Sequence, residues 1–448
     1  MEATLQTRAK STKSAIRSCY QSRTAEINGD LRAAAETNRY LQLPEEVLED
    51  ILLRLPAETL KNCKRVCKSL FDLINNPSFV NKHLLRVTTE NRKPCSSSSR
   101  TLFLKWIRQE LSMDDIFDGY DVYHLHGNDL SKLVLSMVTI CEEDDTNGNR
   151  DDDRLSCVVE EVRLPPIPES ELPYFPTYIK ASSHSNGIIH MADPENEGTS
   201  VLLNPILGEF KLLIRPEDLP DDYYSKFTGD DLTLHGLAGW GFGYDPKAKV
   251  YKCVKIYVDE CSKFPVALVY TLGRYDSSRM IKIDIGGHRC SFQSNGVYCK
   301  GAYHWLNAGG QMILSFDMSE EKFYRTRLPK DLYAKVKKLQ VWKESLIIFY
   351  GLECSWFSSI FEMWVMVGNI GGVEGSTYWT KHLTIGPLVC IFYPLIFWKD
   401  DELLLEGQDG RIVSYNLDTK RLRTLPLPGA VYPGHTSAYL YLKSLVSL

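Results

Sequence analysis

Three segments of this chain repeat one short phrase: a run of strand-forming residues, an Asn or Asp, then a second run. Ser200-Val201-Leu202-Leu203-Asn204 leads through Pro205 and Gly208 into Phe210-Lys211-Leu212. Met312-Ile313-Leu314-Ser315-Phe316-Asp317 leads into Phe323, and Arg411-Ile412-Val413-Ser414-Tyr415-Asn416 leads into Leu422. The turn residues Asn204, Asp317 and Asn416 stand 113 and 99 positions apart, about two propeller blades of ~40–50 residues each. Gly243-Tyr244-Asp245-Pro246-Lys247 ahead of Val250 to Ile256, and Trp364-Val365-Met366 ahead of Tyr378 to Lys381, fit as intervening copies. Many short strands expose edges, and radial closure removes them. A β-propeller is therefore predicted, with a two-sheet sandwich as the alternative. The 8 Trp, 24 Tyr and 17 Phe are read as packing between blades.

The strand pattern starts at Arg100, with further strands expected over 133–140 and 155–162. What precedes it is different. Residues 1–39 carry Arg8, Lys10, Lys13, Arg17 and Arg23 and few large apolar groups, so a disordered N-terminal extension is expected, with an organelle transit peptide as the alternative. From Leu43, Val47, Leu48, Ile51, Leu52 and Leu55 form one apolar stripe at helical period. Pro44 suits the first turn and Pro56 stops the helix. A second helix carries Leu60, Cys63, Val66, Cys67 and Leu70, and a third follows Pro77 with Phe79, Val80 and Leu84. The chain thus reads as an α+β multidomain protein: a small three-helix domain at 40–86, a linker at 87–99 around Lys93-Pro94-Cys95-Ser96, and a large all-β domain at 100–448. Three short helices cannot bury all their apolar side chains on each other. The surplus packs on the rest of the chain or awaits another protein's helices.

Composition narrows the function. Of 448 residues, 52 are Lys or Arg and 57 Asp or Glu, a net charge of −5, which argues against a dedicated nucleic-acid binder. The longest apolar stretch, Leu388 to Trp398, is short for a membrane span and holds Pro394. Twelve cysteines are scattered without a Cys-x-x-Cys pair, so structural zinc is not expected, and reduced thiols in the cytosol or nucleus are the economical reading. The acidic run from Glu142 to Asp153 reads as a solvated loop; it lacks the ordered spacing of a calcium loop. His124 and His126 lack a third metal partner, and Asp221, Asp222, Asp230 and Asp231 read as loop acids rather than a glycosidase pair. The Gly-rich stretch Gly236 to Gly243 holds Trp240 and Phe242 and reads as a blade turn rather than a phosphate cradle. With no serine-hydrolase, zinc-protease or P-loop motif, a non-catalytic chain with no cofactor and no metal is expected.

Leu43-Pro44, Ile51-Leu52, Arg54-Leu55-Pro56, Val66, Lys68-Ser69, Leu73-Ile74, Pro77, Phe79 and His83-Leu84 together resemble a plant F-box. Gly241-Phe242-Gly243-Tyr244-Asp245, Lys300-Gly301 with His304-Trp305, Ile313 to Met318, and Trp379-Thr380-Lys381 resemble the kelch-like F-box-associated domain. Trp398 to Leu405, Asp409-Gly410-Arg411 and Ser414-Tyr415-Asn416 look most like S-locus F-box proteins. The resemblance implies a substrate receptor of a Skp–cullin–F-box ubiquitin ligase. Its adaptor-facing positions would be Leu43, Pro44, Val47, Leu48, Ile51, Leu55, Pro56, Leu60, Val66 and Leu70, and its β domain would capture a target, an S-ribonuclease if the S-locus likeness extends to function. The alternative is a propeller interaction protein acting outside a ligase. Two departures stand out: Leu70 where the family has Trp, and Arg65 where it has Cys.

Overall fold

The computed structural model describes residues 44–92, 99–109, 133–142, 155–163, 180–192, 200–213, 237–257, 265–273, 277–284, 292, 296–307, 309–333, 336–354, 359–368, 377–427, 430–431 and 436–448. The chain divides into two compact units, Met1–Lys82 and His83–Leu448. Among the described residues four helices come first: α1 (Glu45–Leu53), α2 (Ala57–Cys63), α3 (Lys68–Asn75) and α4 (Pro77–Arg92). The expected linker is therefore helical up to Arg92. Arg86 pairs with Glu90 one turn on, an i,i+4 ion pair that supports the helix past residue 86, where the Thr88 and Thr89 hydroxyls bond the carbonyls of Leu84 and Leu85.

Among the described residues the strands form six antiparallel sheets, the blades of a propeller. Blade one holds β1 (Arg100–Gln109), β2 (Leu133–Glu142) and β3 (Leu155–Glu161). Blade two holds β4 (Lys180–Ser185), β5 (Ile188–Ala192), β6 (Ser200–Asn204) and β7 (Glu209–Leu213). Blade three holds β8 (Leu237–Asp245), β9 (Val250–Tyr257), β10 (Val266–Leu272) and β11 (Ser277–Lys282). Blade four holds β12 (Val297–Cys299), β13 (Ala302–Leu306), β14 (Met312–Asp317) and β15 (Phe323–Arg327). Blade five holds β16 (Val336–Trp342), β17 (Ser345–Cys354), β18 (Ser359–Val367) and β19 (Tyr378–Leu388). Blade six holds β20 (Ile391–Phe397), β21 (Glu402–Gly407), β22 (Ile412–Asn416) and β23 (Leu422–Thr424). The chain then returns through β24 (Ala430–Val431) and β25 (Ser437–Leu440) to pair with β1, Leu102 opposite Leu440 and Lys105 opposite Ser437. Strands β4, β8, β12, β16, β20 and β25 adjoin in that cyclic order, so the ring is closed.

The repeated phrase is the third and fourth strand of blades two, four and six, which accounts for its spacing of two blades. Its turn is built alike each time. The side-chain oxygens of Asn204, Asp317 and Asn416 accept from the backbone N–H groups two and three residues on. The fifth residue, Gly208, Glu321 or Lys420, takes positive φ. Asp245 makes the same turn with Lys249 at φ 58°. That copy joins the first and second strands of blade three, so it is out of phase with the others. In two copies the serine of the phrase satisfies a buried ring nitrogen: Ser414 accepts from Trp398 Nε1 at 2.8 Å, and Ser315 bonds His304 Nδ1 at 2.8 Å.

Apolar side chains of consecutive blades fill the wedges between them. Val254 and Ile256 meet Trp305 and Leu314, and Ile347 and Phe349 meet Phe397 and Leu403. Inner strands are therefore apolar on both faces, which is why Leu403-Leu404-Leu405 has no polar alternation. The Gly-rich stretch is not a turn but strand β8. Its alternate glycines leave room for rings of blade four: a Cβ on Gly241 would lie 2.5 Å from Tyr303, and Trp305 Nε1 donates to the Trp240 carbonyl at 2.8 Å.

Charged groups lock two of the seams. Lys252 bridges Asp245 and Glu321 at 2.7 and 2.6 Å between blades three and four. Burial alone pushes the Asp245 carboxyl up; hydrogen bonds from Lys252, Ser319 and the Ala248 N–H outweigh it and hold the pKa at about 2. Arg423 joins Glu402 at 2.6 Å to Glu142 at 3.2 Å, tying blade six to blade one.

Gly241→Ala is expected to lower stability by ~1–3 kcal/mol, because the Tyr303 ring must move. Lys420→Gly, at an exposed residue with φ 60°, is expected to raise it by ~0.5–1 kcal/mol. Thermal denaturation of both variants measures the opposite shifts.

Candidate functional site

The helical unit carries the predicted site residues. Pro44 is the N-cap of α1, its carbonyl accepting from Val47 and Leu48, and Glu45 and Glu46 sit in the first turn where the helix dipole favours acids. Pro56 caps α2 in the same manner. Glu49 of α1 pairs with Lys82 of α4 at 2.8 Å. One buried apolar residue or more comes from every helix: Leu52, Ala57, Leu60, Ile74 and Phe79.

Four helices stand where three were expected, because the run from Leu60 to Leu70 breaks at Lys64–Cys67. Arg65 and Val66 make tight turns onto Asn62 and Cys63, and Cys67 is extended at φ −158° before α3 begins. The break has a packing cause. On one straight helix Leu60 and Ile74 would stand about 21 Å apart, too far to share a small core; folded back, both are fully buried.

That core leaves an apolar remainder outside. Val47 is 44% exposed, Ile51 46% and Val66 71%, and Pro44 and Pro56 are exposed as well. Leu48, Leu55 and Leu70 are half-buried. Leu60 belongs to the core, so it supports the surface from beneath instead of lining it. Leu43 lies outside the described residues, as do residues 1–39, His124, His126, the acids at 221, 222, 230 and 231, and the acidic run from residue 143 to 153. Phe71, 50% exposed on α3, is a large apolar residue in solvent that spacing alone does not single out. Its signal is its place: an aromatic one position after Leu70, where the F-box pattern would carry Trp.

With this geometry in place, similarity to known proteins becomes informative. Residues 138–433, about two thirds of the chain, match the family described as F-box associated beta propeller domain, and residues 40–86 match the family described as F-box-like. The chain belongs to the F-box-associated propeller family. It is similar to F-box protein CPR1 of Arabidopsis thaliana, 24% identical over 434 residues, covering 90% of this chain and 88% of that protein. It is also similar to the Arabidopsis thaliana F-box/kelch-repeat protein At3g23880, 24% identical over 418 residues, covering 90% of this chain and 95% of that one.

The S-locus-like segments fall in blade six. Trp398 and Leu403 to Leu405 are buried, so that part of the likeness reports packing; Asp400, in the turn between β20 and β21, and Asp409 and Arg411, in the turn between β21 and β22, are exposed.

Truncating the two kinds of helical residue separates their roles. Leu60→Ala is expected to destabilise the helices by ~2–5 kcal/mol, and Val66→Ala to stay within ~0.5 kcal/mol of the parent. Urea titration followed by helical circular dichroism distinguishes them.

Proposed function

We propose that this chain is the substrate-recognition subunit of a Skp–cullin–F-box ubiquitin ligase. The helical unit docks on the Skp adaptor, and the propeller presents the target. The observation that carries the reading is the apolar surface left open by a filled core: Val47, Ile51, Val66 and Phe71 stay in solvent while Leu52, Leu60, Ile74 and Phe79 are sealed. A small helical unit gains nothing from such residues by itself, and an adaptor's helices would cover them. Phe71 supplies the aromatic anchor that Leu70 lacks, and aromatics concentrate interface energy.

In this role the protein makes and breaks no bonds. It raises the local concentration of a target beside the ubiquitin-charged enzyme, turning an encounter between two molecules into one within a complex. Such ligases work in the cytosol and nucleus, which suits a chain whose described cysteines are free thiols. The S-locus likeness proposes an S-ribonuclease as target, and its exposed residues Asp400, Asp409 and Arg411 are where it would act; direct binding of purified S-ribonuclease tests this finer reading.

Ile51→Asp and Val66→Asp are each expected to weaken Skp adaptor binding more than tenfold, over ~1.4 kcal/mol, while the propeller melts as in the parent. Co-purification of adaptor and cullin with the tagged chain measures it. Undiminished recovery with both variants sinks the docking face. Failure of the parent chain to recover the adaptor favours a propeller acting outside a ligase.

A further inference from the structure

Packed protein interiors leave few voids larger than a water molecule. The seam between blades two and three departs from this, for it holds a cavity of about 280 Å³. Its walls follow from strand register. Blade two contributes Ile188 and Leu202, with Lys211 opposite Leu202, and blade three contributes Tyr251 opposite Leu272. A third wall comes from Ser447 and Leu448. The Glu209 carboxylate holds them there, accepting from the Ser447 hydroxyl at 2.8 Å and from the Leu448 N–H at 2.9 Å.

The inside of this cavity is apolar and uncharged. Ile188, Leu202, Leu272 and Leu448 belong to the apolar cluster that joins the two blades. Burial pushes the Tyr251 hydroxyl up to about 12, so that wall stays neutral. Two residues further along the same strand faces stand His190 and Cys253, with Nε2 3.3 Å from Sγ. Burial pulls His190 down to about 3 and pushes Cys253 up to about 12, which leaves both neutral as well.

Among the lining side chains, charge is confined to Lys211 and Lys249. Lysine lays its methylenes along apolar surface and keeps its ammonium at the water's edge. Lys211 is half-buried on β7, and Lys249 is exposed in the turn between β8 and β9. Both therefore place a cation at the rim. Gly273 lies on the same rim, exposed, and a Cβ built there would meet no atom within 4 Å. The mouth is open on that side.

An apolar chamber with a cationic rim is complementary to a molecule with an apolar body and an anionic end. Volume sets the size of the body. An apolar cavity of ~150 Å³ takes up benzene, so about twice that admits two fused rings or a chain of about ten carbons. Glu209, beside the mouth, repels a second negative charge and so favours a monoanion over a dianion. We propose that the seam between blades two and three binds a small monocarboxylic acid with an apolar body, its carboxylate resting at Lys211 and Lys249. The site belongs to the propeller alone; it goes beyond the ligase reading and does not depend on it.

The test is calorimetric titration of the full chain with naphthoate and decanoate, and with naphthamide as a neutral molecule of naphthoate's shape. Both acids are expected to bind at one molecule per chain with Kd below about a millimolar, and the amide roughly tenfold more weakly. Lys211→Met keeps an apolar stem, and Lys249→Gly suits the φ of 58° at that position. Each should weaken the acids several-fold and leave the amide unchanged. Gly273→Leu, projecting into open space, should abolish binding of all three probes while the chain melts as the parent does. No saturable binding of either acid overturns the proposal, as does equal affinity for acid and amide. Acid affinity indifferent to both lysine variants overturns it even if Gly273→Leu fails to fold, and so does full binding by a folded Gly273→Leu chain. Naphthyl phosphate binding more tightly than naphthoate would also overturn it, since a dianion would then be preferred.

Discussion

Closure of the ring by β25 on β1 is the pairing on which the propeller depends. Five blades are each built from one continuous stretch of chain, but blade one is assembled from strands more than 300 residues apart. Without β25, strand β1 would present a bare edge, and the seam with blade six, where Leu102, Leu104, Trp398 and Leu404 pack in one cluster, would lose Ala438. The junction is continued by residues 441–448. Tyr441 donates its N–H to the Thr101 carbonyl, and Asn204 of blade two donates to the Ser444 and Val446 carbonyls. Gly187 belongs to this latch: a side chain there would collide with the Leu442 carbonyl.

The blades are legible where structure follows from neighbours in sequence. An Asn or Asp that caps the next two backbone N–H groups leaves a mark wherever it occurs, so Asn204, Asp317 and Asn416 locate three blades and their spacing. The same local chemistry cannot say which pair of strands Asp245 joins, since that depends on blades three and four meeting at Lys252 and Glu321. Gly239, Gly241 and Gly243 read as a turn because glycine marks both turns and close approaches. Only the rings of Tyr303, Trp305 and Tyr298 reveal the second. The bulges in β17 and β20, where the ladders step from Gly351 to Glu353 and from Ile391 to Tyr393, leave no mark in the sequence, because register belongs to two strands and is written in neither alone.

The helical unit shows the same division. Helical period locates the apolar stripe from Val47 to Leu55, since a helix face is a matter of residues three and four apart. It does not foresee the break at Lys64–Cys67, which tertiary packing imposes to bring Leu60 and Ile74 together. Nor does it separate Leu60, which fills the core, from Val66, which stands in solvent; both are apolar residues in one continuous pattern. Phe71 is hidden for a related reason, because being next to a substituted position carries no periodic signature.

A ring sealed by a late strand has a consequence for the ribosome. At ordinary elongation rates, β25 leaves the tunnel on the order of tens of seconds after β1. Throughout that interval the first blade is three strands wide and its inner edge has no mate. The nascent molecule must shelter that edge from other emerging chains before it can shut itself.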